Sequence, residues 1–117
     1  MPVDWKSISN EDEFGNLLRE QREEQFLLVF KHSPSCMIST MAKGRLERKP
    51  IDHFTYYIVD VISQRNLSNS LSEHTHVRHE SPQCLLFKGS ELITSQSHAA
   101  IDSSDLLEKS LEHSESN

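Results

Sequence analysis

Gln25-Phe26-Leu27-Leu28-Val29-Phe30-Lys31, then His32-Ser33-Pro34-Ser35, then Cys36-Met37-Ile38-Ser39, is the stretch around which the rest of the chain arranges itself. Phe26 to Phe30 is a run of five apolar residues between polar flanks. It is too short for a helix and has the character of a strand buried on both faces, so Gln25–Lys31 reads as the centre of a sheet. His32 to Ser35 reads as a turn. From Cys36 to Lys49, the residues Ile38, Met41, Ala42 and Leu46 fall on one helical side, and Pro50 stops the helix. Lys43, Arg45, Arg48 and Lys49 near its end are cations where the helix dipole favours them.

Toward the N-terminus, Phe14, Leu17 and Leu18 mark a helix over Glu11–Gln21, with Asn10 placed to cap it and Glu11, Asp12 and Glu13 in the first turn. A short strand precedes it at Trp5–Ile8. Toward the C-terminus, Phe54–Val61 is β-branched and aromatic and reads as a second central strand. Ser63–Glu73 carries only Leu67 and Leu71 and reads as a weak, mostly exposed helix. Cys84–Phe87 and Glu91–Thr94 form a hairpin through Gly89-Ser90. Asp102 or Ser103 caps a last helix bearing Leu106, Leu107 and Leu111, after which residues 113–117 are expected to fray. The order is a βαβ half followed by a ββα half. That makes one α/β domain over residues 1–112, a mixed central sheet with helices on both faces, in the order of a thioredoxin-like domain.

Composition narrows the function classes. With 117 residues and 35% hydrophobic side chains, the chain reads as one domain with a modest core, and two cysteines are too few for a secreted disulfide framework. No stretch approaches the ~20 apolar residues of a membrane span, and Met-Pro-Val-Asp-Trp lacks the regions of a signal peptide, so the expected home is the reducing cytoplasm. A net charge of −6 is the wrong field for a protein that neutralises phosphates, which excludes nucleic acid as the expected partner.

The chemistry points to Cys36. A sulfur in the first turn of a helix sees unpaired backbone N–H groups and the positive dipole end, with Lys31 and His32 close in sequence, and this favours the thiolate. Cys36-Met37-Ile38-Ser39 repeats the spacing of a Cys-x-x-Cys redox site with a hydroxyl in place of the second thiol. A mixed disulfide on Cys36 therefore has to be cleared by another thiol. Lys31, His32, Ser35, Met37 and Ser39 are the candidates for orienting the sulfur. Ser81-Pro82, at the entry of the strand Cys84–Phe87, is the second element, a candidate cis proline turn for binding substrate beside Cys36. The competing reading of Cys36 is a small buried hydrophobe.

These residues resemble the monothiol bacilliredoxins of the YtxJ type, small thioredoxin-fold proteins of bacillithiol-using bacteria. The resemblance is carried by Phe30-Lys31-His32-Ser33 with Cys36, Ile38 and Ser39, then Asp60-Val61-Ile62, Arg65, Ser68-Asn69, His79-Glu80-Ser81-Pro82-Gln83, and Ser97-His98 with Ile101. It implies removal of bacillithiol from thiol-modified client proteins: Cys36 attacks, carries the low-molecular-weight thiol as a mixed disulfide, and is freed by another thiol, with no bound cofactor. The family pattern has proline where this chain has Met37, a position that tunes potential and substrate access.

Other constellations carry less. His74, His76 and His79 with Cys84 suggest a metal, but on an extended segment His79 points away from the other two, so no metal site is expected. Cys84 reads as core, and Ser97-His98 as a structural hydrogen-bonding pair. Two alternatives to the bacillithiol reading stay open: a thioredoxin-fold binding module with an inert cysteine, and a glutaredoxin-like use of another small thiol.

Overall fold

The apolar run at 26–30 is the axis of the sheet. In a computed structural model, which describes residues 2–115, it lies in β2 (Phe26–His32), buried along its whole length. The remaining elements are β1 (Lys6–Ser7), α1 (Glu11–Glu20), α2 (Met37–Arg48), β3 (Phe54–Asp60), α3 (Arg65–Thr75), β4 (Gln83–Lys88), β5 (Glu91–Ser97), a 3-10 turn at His98–Ala100 and α4 (Ser103–Glu115). The sheet order is β1-β3-β2-β4-β5, with β1, β3 and β2 parallel and β4 and β5 antiparallel. The α/β order expected from the pattern is the order observed.

A strand with both faces covered buries successive side chains in two different cores. Phe26, Leu28 and Phe30 meet Ala42 and Leu46 of α2 and Leu106 of α4 on one face. Leu27 and Val29 meet Phe14 and Leu18 of α1 and Leu67 and Leu71 of α3 on the other. Asn10 caps α1, its side-chain oxygen accepting from Glu13 N–H at 2.9 Å. Gly89 turns the β4–β5 hairpin at φ 59, and a Cβ there would sit 3.2 Å from the Glu23 backbone. The same residue's N–H donates to Gln25 C=O at 2.8 Å, which pins the hairpin to the start of β2.

The structure departs from the sequence pattern at identifiable places. β1 is shorter than Trp5–Ile8, because the Ile8 carbonyl is taken by Gln64 Nε2 instead of a ladder partner. β5 runs three residues beyond Thr94, through Ser95, Gln96 and Ser97, since Ser97 pairs with Gln83. α3 extends to Thr75 and closes on His76 in the left-handed conformation, φ 60, so His74 and His76 do not lie on an extended segment. Only Ala42 and Leu46 of the apolar side read in α2 are buried, while Ile38 and Met41 face outward. Of the residues expected to fray, His113 to Glu115 are helical, with the His113 carbonyl accepting from Lys88 Nζ at 2.7 Å; Ser116 and Asn117 lie outside the described residues. No helix among the described residues is long and apolar enough to cross a membrane.

Candidate active site

β2 ends at His32 and the chain turns through Ser33-Pro34-Ser35, with Cys36 N–H donating to Ser33 C=O at 3.0 Å. Cys36 is the N-cap of α2, in extended conformation, and its carbonyl accepts from both Thr40 N–H and Thr40 Oγ1. Its side chain makes no capping hydrogen bond. In most helices a Ser, Thr, Asp or Asn oxygen at this position satisfies a first-turn N–H. Here the position is spent on a partly exposed sulfur.

Ser39, three residues on, is fully buried. Its Oγ accepts from Ser33 N–H at 3.0 Å and meets His32 Nδ1 at 2.6 Å. The hydroxyl in the resolving position therefore ties α2 to the turn that presents Cys36. His32 stacks on Phe30 with ring centroids 5.4 Å apart, and burial holds its imidazole below the usual histidine range, with Lys43 adding to the depression and Asp60 and Glu47 opposing it. Strand alternation sends Lys31 to the opposite face, where its Nζ donates to the Ser68 carbonyl of α3 at 3.2 Å. Burial lowers that amine to about 8. Lys31 and Cys36 are close in sequence, but the lysine is directed at α3 while Cys36 stands at the start of α2. Ser35 is exposed in the turn.

The first turns of α2, after Cys36, carry exposed apolar side chains. Met37 is 74% exposed, Ile38 58% and Met41 57%, all on the first turns of α2. Ile62, in the β3–α3 loop, is 59% exposed. That loop is held beside the turn because Val61 N–H donates to His32 C=O at 3.0 Å. Asp60 shapes it: its carboxylate accepts from the N–H groups of Ile62 and Ser63, and the bond from Ser63 is the main cause holding that carboxyl below its ordinary range. Periodicity did not single out this carboxylate, although an Asp at a strand end before a polar stretch is a turn signal.

Ser81-Pro82 is a cis peptide bond. β4 pairs with β2 so that Gln83 faces Lys31, which brings Pro82 level with His32 on the neighbouring strand. The Pro82 carbonyl accepts from His98 N–H at 3.0 Å, and Gln83 Nε2 donates to the Arg78 carbonyl and to Ser97 Oγ. His79 Nδ1 lies 3.1 Å from Ser68 Oγ, joining the approach to this turn to α3. Arg45 reaches the carbonyls of His98 and Ile101, so one of the cations read as a helix-end charge is a clamp between α2 and the 3-10 turn.

The second thiol is elsewhere. Cys84 is fully buried among Phe30, Leu86 and the α2 core, and burial pushes its thiol far up. His74 packs edge-on against Phe14, and no group of three or more metal-ligating side chains occurs among the described residues.

Comparison with known proteins places this geometry. A solved structure described as an oxidoreductase with a thioredoxin fold is 28% identical, with a TM-score of 0.78 over 90% of this chain and 92% of that one. Thioredoxin from Malassezia sympodialis shares 22% identity and a TM-score of 0.68, covering 97% of this chain and 95% of its own. Fasciola hepatica thioredoxin shares 15% and 0.71, covering 92% and 98%. The last two show the fold alone: a thioredoxin fold. Residues 6–106 match the family model of the monothiol bacilliredoxin BrxC, and a thiol redox function follows. The chain thus belongs to the monothiol bacilliredoxin family.

Proposed function

We propose that this protein is a monothiol thiol-disulfide oxidoreductase of the cytoplasm that removes bacillithiol, a low-molecular-weight thiol, from mixed disulfides on client proteins. The Cys36 thiolate attacks the bacillithiol sulfur of the client disulfide. One S–S bond forms, the other breaks, and the client leaves as a thiolate. A second small thiol then attacks the disulfide on Cys36 and restores it, so oxidation passes out as a small-molecule disulfide. The observation that carries this reading is the separation of the two cysteines: Cys36 is partly exposed at a helix start, while Cys84 is enclosed in the core. With Ser39 in the resolving position, one-thiol chemistry is what the residues provide. Met37, Ile38, Met41 and Ile62 supply an apolar seat for the client chain, and the Ser81-Pro82 turn lies where that chain would pass as an added strand.

The test is a client protein carrying bacillithiol on one cysteine, mixed with the wild-type protein and with Cys36→Ser, and followed by mass spectrometry of both partners. Transfer of the adduct to Cys36 and its absence in the variant are expected. Equal transfer from a glutathione-modified client would move the reading to a glutaredoxin-like thiol, and no transfer with unchanged client binding would make this a binding module.

A further inference from the structure

His32 and Ser39 meet at 2.6 Å in a buried wall, and the Ser39 oxygen also accepts from Ser33 N–H at 3.0 Å. In the Nε2–H tautomer of the neutral imidazole, Nδ1 accepts and Ser39 donates, the arrangement that gives the buried Ser39 O–H an acceptor while its oxygen accepts from Ser33 N–H. Adding a proton to Nδ1 reverses the bond. The Ser39 oxygen then accepts twice, from Nδ1–H and from Ser33 N–H, and the O–H of this fully buried side chain needs a new acceptor. Cys36 and Ser39 are the N-cap and third residue of α2, the two positions of a capping box, in which the third residue's side chain turns back toward the N-cap residue, and the Cys36 side chain has no capping bond of its own.

We propose, resting on Cys36 as the exchanging thiol, that His32 and Ser39 form a proton-dependent hydrogen-bond switch: neutral His32 holds the Ser39 hydroxyl away from Cys36, and protonated His32 turns it onto the Cys36 thiolate. One proton moves from solvent to Nδ1 and no electrons move. A bare thiolate is the better nucleophile toward the client disulfide, and a hydrogen-bonded one is the better leaving group when the second thiol attacks. His32 is then a positioning residue acting through Ser39. The charged groups facing it are Lys43 and Glu47 from α2 and Asp60 from β3; Lys43 opposes its protonation and the two acids favour it.

The His32 ring is followed by NMR across pH in the reduced protein, in the protein with Cys36 capped as a methyl disulfide, and in Ser39→Ala in both states. The reduced wild type should titrate about one pH unit above the capped form, the worth of one charge-assisted hydrogen bond, and in Ser39→Ala the two states should coincide. Equal midpoints in the reduced and capped wild type would overturn the switch, as would a difference that persists in Ser39→Ala. Should that variant not fold, alkylation of Cys36 against pH in His32→Gln serves: the wild type should lose reactivity as His32 gains its proton, and a variant profile retaining that step overturns the proposal. Neither readout uses a client or bacillithiol. Failure of the transfer experiment with the coupling intact would remove the function and leave the switch, and the converse holds.

Discussion

Ser39→Cys tests the resolving position directly. The substitution takes a fully buried hydroxyl from two partners and offers a sulfur, a weak acceptor, to Ser33 N–H. Leaving that donor poorly satisfied costs about 2 kcal/mol. For a domain of this size that is a fall in Tm of about 8 °C in the reduced protein. Under mild oxidation, residues 36 and 39 should join, and closing a loop of about four residues returns about 2 kcal/mol from the unfolded chain. The oxidised variant should therefore melt close to the wild type. Calorimetry with and without reductant gives the two midpoints, and thiol titration should show the oxidised variant with only the enclosed Cys84. If the reduced variant melts with the wild type, the Ser39 bonds do not hold the turn. If it keeps all its thiols after oxidation, residues 36 and 39 do not face each other as argued.

Lys31 is a buried amine lowered to about 8, so between that pH and its unfolded value the unfolded chain binds more protons and stability rises with pH. Lys31→Met should be more stable than wild type at pH 7, by about 1–3 kcal/mol, and should lose that alkaline rise, as read by urea unfolding at both ends of the range. Cys84→Ala should cost about 1 kcal/mol and leave exchange unchanged, and native wild-type protein should expose one alkylatable thiol where denatured protein exposes two. Met41→Glu should slow reaction with a modified protein several-fold and leave reaction with a small disulfide unaltered; equal slowing of both would show that the apolar rim does not seat the client.

The legible parts of the fold were those specified locally. Phe26–Phe30, the Asn10 cap and the Gly89 turn each state their structure within a few residues, and Cys36 stood out by its place after the central strand. Less legible was anything depending on what lies opposite. Ile38 and Met41 have helical spacing with Ala42 and Leu46, yet spacing does not reveal which part of an apolar side is covered. Ser95–Ser97 looks like loop because its pairing partner, Gln83, supplies the order. Lys31 reads as a charge beside Cys36 that orients the sulfur, until alternation and α3 enclose it on the other face. The bond between His32 and Ser39 joins residues on different elements, and no motif spacing announces it.

The margins of the sheet bear on how such a protein avoids aggregation. A strand with a free edge is a template for any chain that can extend beside it. At one margin, β1 is only two residues long. At the other, β5 is mostly polar, and the register shift opposite Leu86 and Phe87 breaks the regularity of the β4–β5 ladder. Neither side presents a long, flat, apolar ribbon, so stacking of copies edge to edge is disfavoured, and the large apolar side chains that are exposed stand on helices and a loop, Met37, Ile38 and Met41 on α2, Ile62 before α3, Leu107 and Leu111 on α4.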